Sequence, residues 1–155
     1  MQDADLDPHI RRALETFNKY EIDRHMEEFA AGATFRDPVL DEPVTGDDHR
    51  EYLADVIEAF PDISQDVDRV LIAQEATVLE STFSGTHKGP LEGIPPTGET
   101  ATVPLVSIIT VSENGITSWR DYWDQQTFRD QLGLTFPAIF HHLPTFIRWK
   151  LHESL

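Results

Sequence analysis

The sequence predicts an α+β domain in which three helices precede a curved antiparallel sheet. Three observations carry this. Up to Pro61, apolar residues recur at steps of three and four, the helical period. Beyond Pro61 the chain turns to runs rich in β-branched and aromatic residues, the composition of strands. Between the last two such runs stands Asn114-Gly115, a dipeptide suited to a tight hairpin turn.

Each element follows in order. Asp7 is a predicted N-cap with Pro8 at the first helical position, and Ile10, Ala13, Leu14, Phe17 and Tyr20 form the apolar stripe of helix one. A shorter helix is predicted from Asp23 through Phe29, stopped by Gly32 ahead of an extended Ala33 to Pro38. Asp47 is read as the cap of a third helix with Leu53, Val56, Ile57 and Phe60 on one face, terminated by Pro61. Strands are predicted over Val67 to Ala73, Thr77 to His87, Ala101 to Val111 and Ile116 to Trp123. Asp124 then caps a short helix through Leu132, closed by Gly133. Helices covering the concave face of such a sheet leave a cone-shaped pocket. The organisation is one domain, residues 1–133, with an apolar helical extension, residues 134–155, expected to pack on the same domain or across a homodimer.

Composition narrows the function. A chain of 155 residues is about one domain's worth. It has no cysteine, which excludes disulfides, thiolate nucleophiles and zinc-thiolate sites. Net charge is −16, with only three lysines, Lys19, Lys88 and Lys150. Such a surface lacks the clustered cations that nucleic acid requires, so no nucleic-acid partner is expected. It suits instead a halophilic protein, whose self-repulsion is screened by concentrated salt. No apolar run approaches the ~18 residues of a membrane span, and Met1 to Pro8 is acidic without an apolar core, so a cytoplasmic protein without membrane association is expected. The seven histidines show no HExxH spacing, no Gly-x-Gly-x-x-Gly follows a strand, and no Gly-x-Ser-x-Gly occurs. Neither a metal nor a cofactor is expected.

Three segments carry a family resemblance. They are Phe35-Arg36-Asp37-Pro38; Gly85 to Pro90 with Gly93 to Gly98; and Ile116 to Asp124 with Gln131-Leu132-Gly133. Together they resemble the NTF2-like superfamily and, within it, the SnoaL-like polyketide cyclase and ester cyclase group. The resemblance implies a cone-shaped barrel around a pocket for a small hydrophobic molecule, and cofactor-free general acid–base chemistry of cyclase or isomerase type. The superfamily also holds non-catalytic ligand-binding and scaffolding domains, which is the alternative. The last strand is similar to that of limonene-epoxide hydrolase relatives as well, but those need an Arg-x-Asp on an earlier strand, and none occurs between Thr77 and Thr102.

Alternation along the last strand puts Trp119, Asp121 and Trp123 on one face and Arg120, Tyr122 and Asp124 on the other. A carboxylate between two indoles is desolvated, which raises its pKa toward the range useful for proton transfer. Asp121 is therefore the catalytic candidate, with Trp119 and Trp123 as pocket walls; Asp124 is read as an N-cap. Phe35 and Asp37 share a strand face and match pocket-lining positions, where Asp37 either contacts substrate or turns the chain beside Pro38. His87, in phase with Leu79 and Phe83, is either a second proton shuttle or a core histidine bonded to backbone.

Overall fold

The computed structural model describes residues 5–136 and 138–154. Helix α1 (Pro8–Asn18) begins as its sequence dictates: Asp7 accepts the His9 amide at 2.8 Å, and Pro8 sits where a missing N–H costs nothing. Its buried face is Ile10, Ala13 and Leu14. Helix α2 (Ile22–Met26) is shorter than predicted. Phe29 belongs instead to strand β1 (Phe29–Arg36), because its backbone pairs with Ile116. Gly32, read from sequence as a helix stop, lies inside β1 at φ 75°, within the stretch where the register with the partner strand shifts. An extra residue in one strand commonly demands such a left-handed glycine.

A two-residue strand, β2 (Val44–Thr45), leads into helix α3 (Gly46–Ala59). The predicted cap, Asp47, is displaced from that role: Thr45 holds the N-cap position, and Asp47 and Asp48 fall in the first turn, where their charge complements the helix dipole. Strands β3 (Ser64–Ile72), β4 (Thr77–Thr86), β5 (Thr100–Ser112) and β6 (Gly115–Tyr122) follow, then helix α4 (Gln125–Gln131). Asp124 is exposed and its Oδ1 accepts the Thr127 amide at 3.0 Å, so it is the α4 N-cap.

The sheet has six strands in the order β2-β1-β6-β5-β4-β3. Two expectations are corrected here. The sheet is not wholly antiparallel, because β1 runs parallel to β6, with Phe35 opposite Trp119. Nor does it close into a barrel, since β2 and β3 stand at its two open edges. Two apolar clusters pack against its inward face. One joins Ile10, Leu14, Phe35, Leu79, Ile109 and Trp119; the other joins Ala59, Phe60, Ile63, Val103, Phe128 and Leu132.

The extension forms a 3₁₀ turn (Ala138–His141) and helix α5 (Leu143–Glu153). Its root is attached: Leu134 packs with the second cluster, and the His142 ring lies so near Gly133 that a Cβ there would meet Nε2 at 2.6 Å. Beyond that root the extension buries no face on its own domain. Helix α5 buries none of its residues, and Leu143, Ile147 and Leu151 are exposed. No described helix is long and apolar enough to cross a membrane.

Candidate active site

Between the helices and the inward face of the sheet lies a cavity of about 670 Å³. Both apolar clusters contribute to its wall, the first through Phe35 and Trp119, the second through Phe60 and Phe128. Its polar groups come from α3, α4 and the loop after β4 as well as from the sheet, which contributes Gln65 and Asp121.

Asp121 is the central one. Strand phase places it, with Trp119 and Trp123, on the cavity side, while Arg120, Tyr122 and Asp124 are exposed. Ser107 is its register partner across β5 and β6 and donates to Oδ1 at 2.5 Å; the Trp119 indole N–H donates to the same oxygen at 2.8 Å. Among the described residues no hydrogen bond falls on Oδ2. Burial raises the Asp121 pKa from the ordinary aspartate range to about 7, and the negative charge of Asp37 adds to the rise. The Ser107 and Trp119 bonds, which favour the ionised form, pull in the opposite direction without cancelling it.

Asp37 follows the end of β1, one position beyond the Arg36–Arg120 register pair. It is buried, at 5% exposure, yet lines the cavity. Of the two sequence readings of this residue, the turn is seen directly. It turns the chain beside Pro38, accepting the Val39 amide at 3.1 Å on Oδ1. It also faces the cavity, accepting the Trp123 indole N–H at 2.9 Å on Oδ2 and a bond from the Tyr52 hydroxyl. Burial raises its pKa, and these three bonds oppose the rise. Each carboxylate thus holds one indole, and through it one wall of the cavity.

His87 is not part of this constellation. It follows β4, is fully buried, and accepts the Thr97 amide on Nδ1 at 3.2 Å, while its backbone bonds Glu99 and Gly98 on the returning chain. With Phe60 against its ring, it fastens the loop of residues 88–99 to the sheet and does not line the cavity. That loop is pinned again at Gly89, whose amide reaches the Ala59 carbonyl and where a Cβ would meet the Glu58 carbonyl oxygen at 2.1 Å.

Four polar residues escaped the sequence reading. Tyr52 precedes Val56 by one helical turn and so shares its inward face, which spacing alone would have revealed. Ser107 is the lone polar residue among the inward positions Ala101, Val103, Leu105, Ser107 and Ile109 of β5. Ser81 holds the same place in β4, and the buried Gln65 of β3 donates to both serines, at 3.2 Å and 3.4 Å. A polar band therefore crosses four strands to reach Asp121. In an apolar strand face, a single inward serine is the signal. Behind the first cluster lies a further feature: His49, 1% exposed, stacks on Phe35 at 4.4 Å, with His25 6.1 Å away.

An open, curved sheet cradling helices around an apolar cavity is the NTF2-like, ketosteroid-isomerase-like fold. The chain belongs to the SnoaL-like polyketide cyclase family, whose model matches residues 8–132. Solved structures agree on the fold. TsrD from Streptomyces laurentii is 20% identical, with a TM-score of 0.72, 87% of this chain and 99% of that one being covered. IdmH from Streptomyces antibioticus is 21% identical with a TM-score of 0.70, covering 86% and 99%. A protein with a ketosteroid isomerase-like fold from Catenulispora acidiphila is 20% identical with a TM-score of 0.69, covering 84% and 95%. At such identities the likeness speaks for the fold alone. No curated protein matches the chain.

Proposed function

We propose that the protein is an enzyme that moves a proton within a small hydrophobic molecule, in a cyclisation or isomerisation needing no cofactor. The observation that carries this reading is Asp121. Its pKa of about 7 lets the carboxylate exist in either protonation state at neutral pH, which is what a group must do to take a proton and later return it. Oδ1 is held by Ser107 and Trp119, so the carboxylate is oriented, and Oδ2 is the oxygen that exchanges the proton. Trp119, Trp123 and Phe35 supply flat apolar walls suited to a ring system, and Asp37 orients polar atoms of the substrate. Exclusion of water by these walls keeps the proton on the intended path.

The test is Asp121→Asn, which keeps shape and most hydrogen bonding but cannot exchange a proton. Turnover of a cyclisable polyketide analogue is expected to fall by ~10²- to 10⁴-fold, the usual cost of a lost acid–base group. Full turnover by the Asp121→Asn variant would overturn the assignment. Loss of ligand affinity alone, in a protein that turns over nothing, would favour the non-catalytic binding domain.

A further inference from the structure

The cavity is one-sided in charge and in hydrogen bonding. Asp37 and Asp121 occupy its sheet side, Asp55 and Glu58 line it from α3, and Glu92 from the loop after β4. Against these five carboxylates, Arg129 is the one permanent cation among the described lining residues. His25 adds no charge, because burial lowers its pKa by more than the Ala13 carbonyl, 2.8 Å from its ring nitrogen, raises it. The strong donors beside the two inner carboxylates are already committed. The Ser107 hydroxyl and Trp119 indole donate to Asp121, and the Trp123 indole and Tyr52 hydroxyl donate to Asp37. With Asp121 ionised, as it is above its pKa of about 7, what remains beside these two carboxylates is acceptor capacity.

Resting on the reading of this cavity as the substrate site, we infer that it takes an uncharged or cationic ligand that brings its own hydrogen-bond donors. Carboxylates, phosphates and molecules still joined to a phosphate-bearing carrier are turned away. Beside Asp37 and Asp121 an anion would be repelled across a low-dielectric interior, and its oxygens would find those donors already spent. Asp55, Glu58, Glu92 and Arg129 are exposed, where solvent screens them. A phenol, enol or amine meets the opposite situation, since each offers an N–H or O–H to carboxylate oxygens. The reaction that supplies this substrate is accordingly one that has already released it from any charged carrier or masked its carboxylate.

Four probes of one skeleton test this with the full chain: 2-naphthylmethanol, 2-naphthylmethylammonium, 2-naphthoate and 2-methoxynaphthalene. Binding is read by calorimetry at pH 8 in 1 M KCl, where a Debye length of ~3 Å screens the protein's outer charge and leaves the cavity's own selection. The alcohol and the ammonium ion are expected to bind at least ~10-fold more tightly than naphthoate and than the methoxy compound, which lacks a donor. In an Asp37→Asn, Asp121→Asn double variant naphthoate is expected to gain. Naphthoate binding as well as the alcohol would overturn the inference and leave the proposed chemistry standing. Binding of none of the four would overturn the cavity as a ligand site and both readings with it. The charge order holding while Asp121→Asn keeps full turnover would support the inference and sink only the chemistry.

Discussion

Ser107 and Asp121 face each other across the β5–β6 ladder, and the serine hydroxyl donates to the carboxylate at 2.5 Å. The bond favours the ionised form, so it holds the Asp121 pKa near 7 against a burial effect that would lift it further. Ser107→Ala removes that restraint. The pKa of Asp121 is expected to rise, moving the acidic limb of the pH–rate profile to higher pH. Titration of the Asp121 carboxyl by NMR checks this directly; an unmoved or lowered pKa would refute the role given to Ser107.

Asp121 also sets a cost on folding. Its folded pKa lies above the usual aspartate value of 3.8, so the folded state binds more protons than the unfolded one between 3.8 and about 7. Its favourable share in stability is complete below 3.8 and is lost as pH rises through about 7. Asp121→Asn carries no such penalty and is expected to be more stable than the parent at pH 8, by up to about 4 kcal/mol, with the advantage shrinking at pH 5. Urea denaturation at the two pH values decides it. An asparagine variant that is less stable at pH 8 would contradict a carboxylate held against its desolvation.

The inner strand face and the helix faces were legible because each follows a single period. Trp119, Asp121 and Trp123 alternate cleanly with Arg120 and Tyr122, and nothing remote was needed to orient them. The β1–β6 partnership was not legible. Phe29 lies beside a helical pattern, and only its pairing with Ile116, far along the chain, draws it into a strand. Of the two readings of His87, the core histidine bonded to backbone is the one seen: β4 ends at Thr86, and the partners of the ring come from the loop that returns at Thr97. Tyr52 and Ser107 could have been found, since each breaks an apolar face at an inward position.

His49 supplies an acid-sensitive element. Burial presses its pKa down to about 3, helped by nearby His25, whose own pKa is lowered by burial. Because the unfolded chain takes up these protons near 6.5, the stability contributed by the neutral rings is full above 6.5 and is lost as pH falls toward 3. His49→Phe retains a ring to stack on Phe35 and is expected to flatten the decline between pH 6.5 and 4 in thermal melts. A decline as steep as the parent's would place the acid sensitivity elsewhere.

A net charge of −16 opposes compaction in dilute buffer. Thermal midpoints are expected to climb as KCl is raised from 0.1 M to 1 M, where the Debye length shrinks from ~10 to ~3 Å. A midpoint independent of salt would remove the halophilic reading.

Helix α5 exposes Leu143, Ile147 and Leu151, with Phe136 and Phe140 just before it, more adjoining apolar surface than an isolated helix keeps in water. Residues 134–155 carry a formal charge of +1 while the remainder carries −17, so the body of a second copy complements this arm in sign. An Ile147→Asp, Leu151→Asp variant is expected to convert a dimer to monomer in light scattering, leaving the cavity's ligand affinity unchanged. An unaltered mass would show that the arm does not join two copies.

The parallel pairing of β1 with β6 joins Asp37, from the first quarter of the chain, to Asp121, from the last third. During synthesis β1 waits beside the short β2 with its other edge bare until β6 has emerged. Contacts so distant in sequence are slow to form, because a long loop must close before they return any stabilisation. The two carboxylates therefore meet only once β6 has paired with β1, and a chain that ends before β6 cannot bring them together.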